Sequence, residues 1–347
     1  MKRAVSFCRA GSPNPAAVLA VMLCVACMAA STVVAAKPPG GDTGGGTLYF
    51  TVPVVHNGGS TLQMWSMDAN GSAKTPLPRY QGYLGYLGMP EPSRLPHGGH
   101  RWFLEAAEGT TLYAVRDDCD LDIDPSSPNR VVLVSDPNMG LTTTVARWLP
   151  GDTAVSFRAG LAGSGIYVLP IDFSTGTPNA DPAELTLVLP DSLTGGVAGH
   201  DWVANTTSLV CQDEQGALRL FDAASPAALL SDLGLATRDW ALSPDGGTIA
   251  YIVGDRCLET RPLLGGATRR LVLPVCSPSR HSLTYSNWPR WSPSGTYLAY
   301  AERTSKAGPG GSMFSDICRI TASGGGKTNL TNDTAAYVSL IAWRPNQ

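Results

Sequence analysis

The chain has 347 residues, 43% of them hydrophobic and 15% charged, with a formal net charge of −3. A mildly acidic chain without a basic cluster is poorly suited to nucleic acid, whose binding rests on concentrated cations. With 38 Gly and 27 Pro and little helical periodicity, it reads as an all-β chain of short strands and turns rather than a helical bundle.

Residues 1–36 have the layout of a secretory signal peptide. Lys2, Arg3 and Arg9 make a basic start, an apolar run follows from Ala16 to Ala30, and Val34-Ala35-Ala36 offers a small-residue cleavage site before Lys37. Two other readings use the same residues. Ala16 to Ala36 is about long enough to span a bilayer uncleaved, and Val25-Ala26 precede Cys27 as in a lipid-attachment site. Cleavage is the expectation, leaving no membrane span and a periplasmic or secreted protein. The leader holds three of the 25 basic residues and none of the 28 acidic ones, so the remainder is more acidic still. Residues 37–46, KPPGGDTGGG, form a Pro/Gly linker that cannot bury apolar surface.

From residue 47 onward one unit recurs. Arg94–Leu104, Trp148–Phe157, Trp202–Cys211, Leu242–Tyr251 and Trp291–Tyr300 each open with a large residue, pass a Pro/Gly or polar turn and run into a second apolar stretch. Ile341-Ala-Trp343-Arg-Pro-Asn-Gln is a sixth opening without its second strand. A hairpin half repeats too: Met64–Leu77 lies on Ile317–Leu330 without a gap, and Leu258–Leu271 has the same length. Four short strands in about 45 residues is the size of one propeller blade. The spacing predicts a six-bladed β-propeller over 47–347. Leu48-Tyr-Phe-Thr-Val would pair with Leu340–Arg344 in one shared blade, closing the ring and removing an open sheet edge.

The turn-and-strand pattern of Leu242–Tyr251 and Trp291–Tyr300, with Gly165-Ile-Tyr-Val-Leu169, resembles the PD40 or TolB-like class of WD40-like propeller repeats. The resemblance covers residues 47–347 and leaves no room for the N-terminal domain of TolB itself. It implies a propeller that holds other envelope proteins. The recurrent Trp148, Trp202, Trp291 and Trp343 are expected to pack between blades rather than to bind ligand.

The loops expected to share one rim are Val52–Leu62, Pro78–Ser93, Pro190–His200, Pro274–Trp288 and Glu302–Asp316, and loops on a rigid scaffold are where function concentrates. They place His56, Tyr80, Tyr83, Tyr86, His200, Asp201, Arg238, Asp239, His281, Tyr285, Trp288 and Arg303 near the channel mouth. The aromatic, glycine-rich run Tyr80–Met89 suits an interface anchor. On these grounds the expectation is a non-enzymatic protein-recognition module at the cell envelope, with no cofactor and no resident metal. The competing expectation is a channel lyase or hydrolase of small carbohydrates or lactones using His200 and Asp239 with a metal. No G-x-S-x-G or H-E-x-x-H pattern occurs. His97 and His100 read as a solvated turn on the far rim, and Asp117–Asp124 as a solvated acidic hairpin end rather than a Ca²⁺ loop. Of Cys119, Cys211, Cys257, Cys276 and Cys318, which could pair in an oxidising compartment, Cys211 and Cys318 fall where strands expect core packing.

Overall fold

In a computed structural model the chain is described from residue 45 to 346, apart from residues 57–58, 78–90, 108, 119–128, 142–145, 162, 225, 238, 255–256, 273–280, 283–288, 305–313 and 332–337. Six antiparallel sheets follow one another around a ring. Blade 1 takes its inner strand from the chain's end, Ser339–Arg344, followed outward by Thr47–His56, Gly59–Asp68 and Thr75–Pro76. Blade 2 is Glu91–Pro92, Trp102–Ala107, Thr111–Arg116 and Arg130–Ser135; blade 3 is Arg147–Trp148, Ala154–Ala159, Gly165–Pro170 and Thr186–Pro190. Blade 4 runs Gly199–Trp202, Ser208–Gln212, Ala217–Asp222 and Ala228–Ala236; blade 5 runs Trp240–Leu242, Thr248–Val253, Cys257–Pro262 and Arg269–Val272. Blade 6 is Arg290–Trp291, Tyr297–Thr304, Phe314–Thr321 and Thr328–Asn329, with an added strand, His281–Ser282. The ring closes as expected, with Leu48 opposite Trp343 and Thr47 opposite Arg344. Among the described residues no helix is long and apolar enough to cross a membrane.

Two segments expected as loops are strand at their described ends. Within Val52–Leu62 the pairing reaches His56 opposite Gly59, and within Glu302–Asp316 it reaches Thr304 opposite Phe314. The β-branched and apolar run Val52-Pro-Val-Val and the alternating Tyr297–Thr304 favour extended backbone over a loop. In blade 6 this extension outruns the inner strand, which pairs only with Leu298 and Ala299, and His281–Ser282 takes the edge left over.

The turn after the inner strand is built from the Ser-Pro-x-Gly sequence. In blade 5 the Gly246 amide donates to the Ser243 carbonyl at 2.8 Å, and the Ser243 hydroxyl oxygen accepts from the Thr248 amide at 2.9 Å. Gly246 has φ of 72°, and a Cβ there would lie 2.7 Å from Val203 Cγ1 in the preceding blade, so only glycine fits both turn and packing. Blade 6 repeats the device with Ser292, Gly295 and Tyr297.

Instead of one core there are six, each lying between neighbouring blades. The repeated tryptophans sit in these seams, as the spacing predicts. Trp148 Nε1 donates to the Glu91 carbonyl of blade 2 at 3.1 Å, Trp202 Nε1 to Ser156 Oγ of blade 3 at 2.9 Å, and Trp291 Nε1 to the Ala241 carbonyl of blade 5 at 3.2 Å. Each reaches back to the blade before it. Side chains alternate across a strand, so the residue beside each tryptophan faces the other way. Arg290 Nε donates forward to the Ile341 carbonyl of blade 1, and Arg344 Nε to the Pro92 carbonyl of blade 2 at 3.0 Å.

Candidate functional site

That alternation fills the channel with guanidinium groups. A cavity of about 280 Å³ lies among the inner strands and the turns that follow them. Its charged lining consists of Arg94, Arg147, Arg290 and Arg344 against Glu91 and Asp201. The apolar wall includes Trp240, Ala241, Leu242 and Trp291. Because the turns at Leu95, Gly151, Ala204, Pro244, Pro293 and Pro345 contribute to it, the cavity belongs to the face carrying the first-to-second-strand turns. This is the face opposite the rim expected from the sequence.

Glu91 is the hub. Its carboxylate pairs with Arg344 and, at 3.5 Å, with Arg147. Burial pushes its pKa up, but Arg344, then Arg147 and Arg290, more than offset this and hold it below the usual carboxylate range. Arg290 is pushed down to about 10, chiefly by burial and then by repulsion from Arg147 and Arg344, with Glu91 pulling the other way. Arg94 crosses to Asp201 of blade 4 at 3.4 Å, and its Nε donates to the Trp148 carbonyl at 3.3 Å. Behind Arg94, the buried Asp152 accepts from the amides of Arg94 and Leu95 at 2.9 and 2.7 Å. His97 Nε2 lies 3.2 Å from the same carboxylate, and its ring stacks on Phe173 at 3.6 Å. His97 is therefore a staple between blades 2 and 3 rather than a solvated turn residue.

Of the residues expected at the mouth, the structure brings together His200 and Asp201, which both line the cavity. Asp239 stands just before the inner strand of blade 5 and is outside the lining. His200 is only 1% exposed, so it offers no docking surface; its Nε2 lies 2.7 Å from Ser156 Oγ, and Nδ1 has no partner among the described residues. Burial first, then the Arg147 charge, lowers its pKa to about 3, so the ring is neutral at physiological pH. His56, His281 and Arg303 lie on strands, Ser282 standing opposite Arg303 and His281 opposite Thr304. Tyr80, Tyr83, Tyr86, Arg238, Tyr285 and Trp288 lie outside the described residues.

A metal on His200 and Asp239 finds no support in this arrangement. Among the described residues, three potential ligands converge only at His100, Asp117 and Asp118. There His100 Nδ1 is 2.9 Å from Asp117, and Arg116 holds Asp118 at two points, 2.6 and 2.8 Å. Cys211 and Cys318 are buried free thiols, as core packing predicts, and Cys257 is half-buried and free; Cys119 and Cys276 lie outside the described residues. Burial pushes the Cys318 thiol up to about 12 and Cys211 higher still, so neither is a thiolate.

No family model and no curated protein matches the chain. Solved structures similar to it include a candidate 6-phosphogluconolactonase from Bacteroides fragilis (12% identity, 88% of this chain and 99% of that one, TM-score 0.41). A periplasmic gluconolactonase from Pseudomonas aeruginosa (11%, 86% and 83%, TM-score 0.39) and the tricorn protease (12%, 78% and 28%, TM-score 0.30) are also similar. At these values nothing of their chemistry carries over.

Proposed function

We propose that this chain is an exported, non-enzymatic β-propeller that binds its ligand in the central channel. The observation that carries the reading is a cavity on which charged side chains of blades 1, 2, 3, 4 and 6 converge. Concave sites with a few convergent polar groups on an apolar wall are where proteins hold small ligands. The same groups argue against catalysis. Glu91 is held ionised between arginines and is no general acid at neutral pH. Ser156 and His200 make a Ser–His pair, but both are buried and Ser156 Oγ also accepts from Trp202, so the hydroxyl is not presented as a nucleophile. Export rests on the basic, apolar, small-residue order of residues 1–36. The TolB-like repeat resemblance supports holding a partner over turning over a substrate, and an envelope protein is the expected companion.

Leu95 and Ala204 line the cavity from turns, and Leu95 is 46% exposed. A thermal-shift screen of a mixed small-molecule library should therefore yield compounds that raise the Tm of the mature chain by mass action. Leu95→Trp and Ala204→Trp should abolish those shifts without lowering the unliganded Tm. Hits that stabilise the filled variants as well as the wild type would overturn the channel as the site.

A further inference from the structure

The chemistry of the ligand can be read from the polar atoms of the cavity wall. Four guanidinium groups face two carboxylates there. Glu91 already serves Arg344 and Arg147, while Asp201 is taken by Arg94. Arg147, Arg290 and Arg344 all act on the Glu91 carboxylate, and Arg147 and Arg344 both repel the Arg290 charge.

A second, independent observation concerns hydrogen bonding. Every buried polar atom of the lining residues that lacks a partner among the described residues is a nitrogen: His200 Nδ1, Trp240 Nε1 and Trp343 Nε1. The indole nitrogens are donors only. Trp202 Nε1 donates to Ser156 Oγ, and His200 Nε2 lies 2.7 Å from the same oxygen. With the Ser156 hydroxyl donating to Nε2, the neutral imidazole carries its proton on Nδ1. This hydrogen-bond chain crosses the seam between blades 3 and 4. These three buried nitrogens beside the cavity are thus donors rather than acceptors.

We propose that the cavity binds a doubly charged oxyanion, a phosphate monoester or a compact dicarboxylate, between the guanidinium groups of Arg147, Arg290 and Arg344. This rests on the channel being the binding site, and it adds the charge and class of what binds there. Guanidinium forks match the paired oxygens of phosphate and carboxylate, and a dianion balances the excess of two positive charges in the lining. The apolar wall at Trp240, Ala241 and Trp291 is left for the rest of the molecule.

The test is isothermal titration of the mature chain at pH 7.5 with inorganic phosphate, sulfate, succinate and acetate, at constant ionic strength set with sodium chloride. Phosphate or succinate should bind detectably above the chloride background and acetate should not; the stronger of the two distinguishes a phosphate ester from a dicarboxylate. Arg290→Gln should weaken binding by about tenfold or more, the scale of one charge-assisted hydrogen bond. Asp201→Asn, which removes a negative charge and releases Arg94, should strengthen it several-fold and guards against a merely misfolded loss variant. No binding by any dianion to folded wild type, or binding that neither substitution changes, would overturn the proposal. If only neutral or cationic compounds bind, and Leu95→Trp blocks them, the channel stands as the site and the oxyanion does not.

Discussion

Two seams of the ring are built differently. Between blades 2 and 3, Trp102, Leu104, Leu112, Met139, Trp148, Phe157 and Leu169 interlock in a large apolar cluster. Between blades 1 and 2, where the closing strand Ser339–Arg344 meets the next blade, the described apolar contact is smaller: Tyr49, Met64, Phe103, Ile341 and Ala342. There Tyr49 meets Phe103 edge-on at 5.6 Å, and guanidinium groups do much of the joining. Arg344 donates to Glu91 and to the Pro92 carbonyl, and Arg101 to the carbonyls of Ser93, Arg94 and Pro345. Apolar area is stabilising wherever it is buried, whereas a hydrogen-bonded charge pair stabilises only while both partners are present. One seam is thus a reservoir of stability, and the other ties the closing of the ring to the charges of the channel.

The contrast can be broken first at its apolar end. Trp148 is fully buried, and Trp148→Ala should cost about 3–5 kcal/mol in urea denaturation. Next, Glu91→Gln should cost about 3 kcal/mol, because it strands Arg344 and Arg147 without their carboxylate. A loss below about 1 kcal/mol would show that the arginines do not rely on it. The smallest effect is one of pH. His200 is depressed to about 3 in the fold against about 6.5 in an unfolded chain. Between these values the unfolded state binds the extra proton, so stability is complete above pH 6.5 and falls as the pH drops, by at most about 1.4 kcal/mol per unit. Glu91 acts lower: its carboxyl is held below the usual carboxylate range, so its contribution is lost only as the pH falls below about 4.3. Unfolding curves at pH 7, 6 and 5 therefore isolate the histidine, and His200→Gln should flatten that dependence.

Much of the ring was legible because its signals are local and repeated. The nine-residue step from Trp148 or Trp291 to a second apolar residue marks each inner turn, and Ile341-Ala-Trp343 at the chain's end marks the closure. The site was not legible in the same way. Arg147, Arg290 and Arg344 each adjoin a repeat tryptophan, a signal open to inspection, yet a lone Arg beside a Trp carries no motif. Only six blades sharing an axis turn residues up to 253 positions apart, such as Glu91 and Arg344, into neighbours. The histidines were visible but their surroundings were not: Ser156 belongs to a different blade from His200, and Phe173 to a different blade from His97. The blade repeat places Val52–Leu62 in a rim loop, yet Pro53 pairs with Leu62, because the edge of a hairpin tolerates proline.

The closing strand has a consequence for anyone handling this protein. Thr47 begins its strand beside Arg344, Thr47 Oγ1 donates to Asn346 Oδ1 at 3.0 Å, and Gly46 packs so closely on the Arg344 carbonyl and the Trp343 ring that no side chain would fit. Residues 46 and 346 therefore lie on the side of the ring where Trp343, Arg344 and Pro345 frame the cavity. A purification handle or fluorescent fusion joined directly at either residue would start beside the opening.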